Sequence, residues 1–188
     1  DITPFLKELL TAPGLSGYED PAAEIISAKW TPLVHEISRG KVGSLHGLRR
    51  GSGTSPRPSV LVAAHMDAIG LMVTGITNSF LRLTAVGGVD PRVLPGTLVT
   101  LYATGAGRSQ PIPGVVCQPH IRLLPPEIGL NPVPLEYLFM DTGLPPHKVV
   151  DLVRVGDLVS FAQSPMELSG ETVAGHTLDN RVSVAALT

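Results

Sequence analysis

The sequence predicts an α/β fold interrupted by a β-rich insert, and three observations carry that reading. Val60-Leu61-Val62-Ala63-Ala64 is an uncharged apolar run, the pattern of a strand buried on both faces, and it stops at His65. Of the 18 prolines, 12 lie between Gly70 and Pro165. They punctuate short alternating runs at Phe80-Ala85, Leu98-Tyr102, Ile112-Cys117 and Leu158-Ala162, which is the turn chemistry of a compact barrel or sandwich. The flanks instead show helical spacing. The expected division is therefore an α/β domain over 1–69 and 166–188, with a β-rich domain inserted at 70–165.

Local chemistry predicts the elements in order. Thr3-Pro4 reads as an N-cap with proline in the first turn; Phe5, Leu6, Leu9 and Leu10 then fall at helical spacing until Pro13-Gly14. Ser16-Gly17-Tyr18-Glu19 scans as a capping box, with Asp20-Pro21 as a competing start, for a second helix from Ala22 to about Lys29. Leu33 to Ile37 reads as a short strand, followed by turns or a hairpin at Gly40, Gly43 and Gly47. Gly51 to Pro58 is a loop leading into the strand that ends at His65. Within the insert, Pro145 to Leu152 is the one helix candidate, and Gly87 to Arg92 and Arg154 to Asp157 are turns. From Val173 the chain returns to the first domain, where a loop through His176 and Asp179 feeds an apolar helix at Val182, Val184, Ala185, Ala186 and Leu187. That helix has about two turns and no C-terminal stop signal, so the sequence is expected to be the N-terminal part of something longer.

Composition narrows the function. With 188 residues, 43% apolar, 16% charged and a mean hydropathy of +0.25, the chain can bury a core and is not disordered. A net charge of -2 and no basic cluster beyond Arg49-Arg50 argue against a nucleic-acid partner. No apolar run approaches the ~20 residues of a membrane span, so no membrane partner is expected. Cys117 is the only cysteine; it reads as a core thiol, and its solitude fits a reducing cytoplasm.

His65 and Asp67 lie two apart, so on a strand their side chains share a side, just past the carboxyl end where open α/β sheets keep ligands. Two readings stand: a metal ligand with its neighbour, or a histidine hydrogen-bonded to a nearby carboxylate. Asp179, on the loop opening the last helix, can hold a cation or cap the helix. His35, His46 and His147 read as structural or solvated, and His120 and His176 as weaker candidates for a site. Phosphate-loop, dinucleotide and serine-hydrolase motifs are all missing.

Four segments then carry a resemblance. Ala64-His65-Met66-Asp67-Ala68-Ile69-Gly70, Gly87-Gly88-Val89-Asp90-Pro91-Arg92-Val93-Leu94-Pro95-Gly96, Val153-Arg154-Val155-Gly156-Asp157 and Leu178-Asp179-Asn180-Arg181-Val182 occur in that order. With Leu15-Ser16-Gly17-Tyr18-Glu19 they resemble the TET-type metallo-aminopeptidases, which include glutamyl and deblocking aminopeptidases.

The resemblance implies a zinc-peptidase-like α/β/α catalytic domain interrupted by a β-barrel dimerisation domain. It also implies two divalent metal ions, zinc or cobalt, that hydrolyse the N-terminal peptide bond of peptide substrates. By motif position His65 would ligate one metal, Asp67 would orient that histidine as part of the catalytic apparatus, and Asp179 would bridge the two ions. Homo-oligomers built through the insert, from dimers to dodecamers, are implied as well. The family's general base belongs to a Glu-Glu pair after the Asp179 helix, and this sequence has none. The 188 residues alone are thus expected to bind metal poorly and to lack peptidase activity. Ala68 stands where many relatives would carry an acidic residue. Two rivals remain: an endoglucanase-type glycoside hydrolase, poorly served by 4% aromatic residues, and a non-catalytic assembly module.

Overall fold

The computed structural model describes residues 1–107, 110–161 and 164–188. The chain folds as two compact units, Asp1–Ala68 with Ser164–Thr188, and Ile69–Gln163. The fold is mixed α/β with a closed six-stranded barrel in the second unit.

In the first unit, α1 (Thr3–Thr11) buries Phe5, Leu9 and Leu10, as the spacing predicts. Its start differs: Ile2 occupies the cap position, and the Thr3 N–H donates to Asp1 Oδ1 at 2.9 Å. Helix α2 (Asp20–Trp30) buries Ala22, Ala23 and Ile26. Neither expected cap forms. Gly17 has φ +86°, a left-handed conformation that cannot begin a helix, so the capping-box residues turn to other partners. Glu19 accepts from the Gly17 N–H at 2.6 Å, and Asp20 pairs with Arg39 at 2.8 Å.

Strands β1 (Glu36–Arg39) and β2 (Leu45–Leu48) form an antiparallel hairpin with Glu36 opposite Leu48. The strand begins later than Leu33, whose N–H instead closes the turn after α2 on the Trp30 carbonyl at 2.8 Å.

The run Val60–Ala64 is not a strand. Val60, Leu61 and Val62 are 88%, 90% and 63% exposed, and no described strand pairs with them. An apolar run becomes a buried strand only where neighbours on both sides satisfy its N–H and C=O groups. Here the first pairing comes at Ala68, in a parallel bridge to Leu15 with the Ala68 N–H donating to the Gly14 carbonyl at 2.8 Å.

The second unit contains β3 (Gly70–Thr77), β4 (Phe80–Val86), β5 (Leu98–Ala103), β6 (Gln110–Cys117), β7 (Phe139–Asp141), α3 (Pro146–Leu152) and β8 (Leu158–Phe161). The antiparallel strands close in the order β3-β4-β7-β6-β5-β8. Leu71, Val73, Leu81, Leu101, Val116, Leu138, Met140 and Val159 fill the interior, all fully buried. Four of these strands overlap the four alternating runs; Ala162, in the last of them, lies outside the described residues. Asp157 ties the turn before β8: its buried carboxylate accepts from the Thr104 hydroxyl at 2.5 Å and from the Arg154 N–H at 2.7 Å. Asp90 caps a single 3-10 turn, and its hydrogen bonds from Arg92 hold its carboxyl at about 2.

The chain then re-enters the first unit through β9 (Met166–Leu168) and β10 (Thr172–Ala174), a second hairpin. Last comes α4 (Leu178–Leu187), in which Asp179 and Asn180 depart from helical backbone angles, so regular helix begins at Arg181. Phe5, Leu9, Ile26, Val184 and Ala185 make this unit's core, with Ala64 and Met66 packed on it. Among the described residues no helix is long and apolar enough to cross a membrane.

Candidate functional site

Met66 anchors the tip of the exposed run to the core, with His65 exposed on one side of it and Asp67 partly buried on the other. His65 thereby stands between two carboxylates. Its Nδ1 lies 2.8 Å from Asp67 Oδ1 and its Nε2 lies 3.2 Å from Asp179 Oδ1, across 114 residues of sequence. The structure thus brings together the three residues singled out in the sequence.

The arrangement sets an electrostatic condition. Both carboxylates only accept and a neutral ring carries one N–H, so the shorter contact favours Nδ1–H donating to Asp67, leaving a lone pair on Nε2. That lone pair faces a second carboxylate. Two acceptors 3.2 Å apart repel unless a cation stands between them, and a metal ion can take that place. For zinc bonds of ~2.0–2.1 Å in a tetrahedral site, two ligating atoms on one ion stand about 3.3 Å apart. The donor types and spacing fit a divalent cation. The set is small, however: among the described residues no group of three or more His, Cys, Asp or Glu is arranged to hold an ion.

Asp67 is itself held. The Ser16 hydroxyl donates to its Oδ2, and this bond, ahead of the His65 contacts, lowers its pKa below the ordinary 3.8 while partial burial opposes the shift. A carboxyl depressed in the folded state stabilises fully above the unfolded value of 3.8, and that stability is lost as pH falls through the lower folded value. Ser16→Ala is therefore expected to move the Asp67 carboxyl up toward 3.8, read by its 13Cγ shift, and to flatten the pH dependence of stability below that value. An unchanged titration would show that Ser16 does not set the carboxylate.

Sequence reasoning missed two residues here. Ser16 was matched but assigned to a helix cap, although Gly17 beside it is the signal against one. Arg181 went unread. It is completely buried, donating from Nε to the Met66 carbonyl at 2.9 Å and from Nη1 to the carbonyls of Ala12 at 2.6 Å and Leu9. Burial lowers its pKa to about 10, and the nearby Asp67 charge opposes that. A basic residue opening an apolar helix runs against the helix dipole, and that was the available signal.

Of the other histidines, His46 lines the same cleft as His65 and Asp67, whereas His35 and His120 bond elsewhere. His35 Nδ1 accepts from the Arg50 N–H at 3.0 Å, and His120 Nδ1 accepts from the Arg122 N–H at 3.2 Å. His176 is half-buried, and burial pushes its pKa down. Cys117 is partly buried on β6, and burial raises its thiol pKa.

Known proteins share this fold. The family model for M42 glutamyl aminopeptidase matches residues 43–188. The lysyl aminopeptidase of Pyrococcus furiosus is 30% identical over 190 residues, covering 97% of this chain and 52% of that protein. The Pyrococcus horikoshii TET1 peptidase, which can assemble into a tetrahedron or a large octahedral shell, superposes with a TM-score of 0.81 at 30% identity, covering all of this chain and 54% of its own. A Thermotoga maritima structure named an endoglucanase gives a TM-score of 0.78 at 32% identity, covering 97% of this chain and 52% of its own. The chain spans about half the length of the curated relatives it matches. The match from Gly43 onward includes His65, Asp67 and Asp179, and by it the chain belongs to the M42 glutamyl aminopeptidase family.

Proposed function

We propose that this chain carries one side of a dinuclear aminopeptidase site that releases N-terminal residues from peptides. The observation that carries the reading is the His65 imidazole held between Asp67 and Asp179. His65 offers Nε2 as a ligand, Asp67 fixes the ring's tautomer and orientation, and Asp179, whose side chain is 94% exposed, is open to a second cation. Two divalent ions, zinc or cobalt, would supply Lewis acidity at the scissile carbonyl and an activated water. The chain has no Glu-Glu pair to take the water's proton, so these residues bind and orient without completing the chemistry.

The names of the curated relatives favour a peptidase over a glycoside hydrolase. We place the protein in the cytoplasm on its single thiol, and we assign the barrel to pairing subunits, as the shells of the TET1 relative suggest.

The test is a titration of the 188-residue chain with cobalt or zinc, followed by assay on a peptide with a free amino terminus, its N-acetylated counterpart and a cello-oligosaccharide. Weak metal uptake reversed by chelator, and no turnover by the chain alone, are expected. Turnover of the free-amine peptide by a homogeneous sample would overturn the division of labour, and hydrolysis of the oligosaccharide would overturn the reaction class.

A further inference from the structure

The least expected side chain in the first unit is Arg181, a buried cation with no carboxylate at ion-pair distance among the described residues. Its acceptors are three neutral carbonyls, and its Nη2 has no hydrogen-bond acceptor among the described residues. Two of those carbonyls, Leu9 and Ala12, belong to the end of α1, where unpaired C=O groups and the helix dipole concentrate negative charge. The third is Met66, between His65 and Asp67, and Arg181 itself follows Asp179 by two residues. One guanidinium therefore ties the end of α1 to the tip of the exposed run bearing one donor and to the turn bearing the other.

The opposite side is shaped for it. A Cβ on Gly14 would stand 2.7 Å from Arg181 Nη2, so glycine there leaves the guanidinium its space. The Gly14 carbonyl meanwhile accepts from the Ala68 N–H at 2.8 Å. The segment from Met66 to Ala68 is thus pinned at both ends. Helix capping alone does not call for a buried charge, because a neutral donor satisfies a helix C-terminus without the desolvation a cation suffers.

We propose that Arg181 is a positioning residue: by clamping the Met66 carbonyl against the end of α1, it sets the separation between His65 Nε2 and Asp179 Oδ1. The metal-binding consequence rests on the function proposed above; the geometric one does not. Lysine keeps the charge but lacks the planar fork that reaches three carbonyls at once, so Arg181→Lys should be intermediate between the native chain and Arg181→Met.

The experiment compares Arg181→Met and Arg181→Lys with Val184→Ala, a core change on the same helix that removes packing but no hydrogen bond. Cobalt affinity is read from visible absorption, and hydrogen exchange is read at the Ala68 amide. Relative to Val184→Ala, Arg181→Met is expected to weaken cobalt binding by about tenfold or more and to speed Ala68 exchange beyond the loss of global protection. If Arg181→Met does not fold, Arg181→Lys decides by the same two readings. A native chain that binds no cobalt defeats the metal reading, and Ala68 exchange then decides the clamp alone. Cobalt affinity equal to that of Val184→Ala, or Ala68 exchange rising only in step with global stability, overturns the proposal.

Discussion

Gly105→Ala is expected to destabilise the barrel by about 3 kcal/mol or more. A Cβ at position 105 would lie 2.3 Å from the Leu152 carbonyl oxygen and 2.4 Å from that of Asp151. These are backbone atoms at the end of α3, so no rotamer change relieves the overlap, and the helix itself must shift. It cannot do so freely, because Val149 and Val153 anchor it in the barrel core. Gly88→Ala makes the control: nothing lies within 4 Å of its added Cβ, and it should fall within about 0.5 kcal/mol of the native chain. Because the chain has two compact units, the transition should be followed on a barrel group, the Met140 methyl by NMR, rather than on Trp30 in the other unit. Equal stability of the two variants would mean that α3 does not pack on the turn as described.

What the sequence made legible follows a physical line. Strands β4, β5 and β6 declared themselves because one face of each is buried in the barrel, and burial on one face writes a period of two into the residues. The β7 strand is three residues long, too short to show any period, and β3 opens with Gly70 and carries a bulge near Gly75. The run Val60–Ala64 misled for the opposite reason. Composition reports that a segment needs covering on both faces but not that the cover is present, and here nothing described pairs with it. The site divides in the same way. His65, Asp67 and Asp179 were legible because imidazole and carboxylate are the residue types a cation site would call for, whereas Ser16 and Arg181 act through hydrogen bonds to partners more than 50 residues away that no local pattern encodes.

His65→Ala is expected to reduce cobalt binding by at least about 100-fold, past detection if the native affinity is already weak. The imidazole is the only nitrogen donor in the cluster, and its removal leaves Asp179 as a lone exposed carboxylate with no fixed partner. The companion variants should follow in an order set by what each side chain does. Asp179→Asn keeps the shape but removes the anion opposite Nε2, so it should rank next. Asp67→Asn can still accept from Nδ1–H through its amide oxygen, holding the tautomer without the charge, and should cost about tenfold. His35→Ala removes a histidine engaged, among the described residues, with the Arg50 N–H and should change nothing. Isothermal titration of the four variants against the native chain settles the order. If His35→Ala and His65→Ala lose affinity equally, the metal is being held by scattered surface histidines. The bracket of carboxylates around His65 would then be a hydrogen-bonded pair with an incidental neighbour, which is the alternative that the His-x-Asp spacing left open.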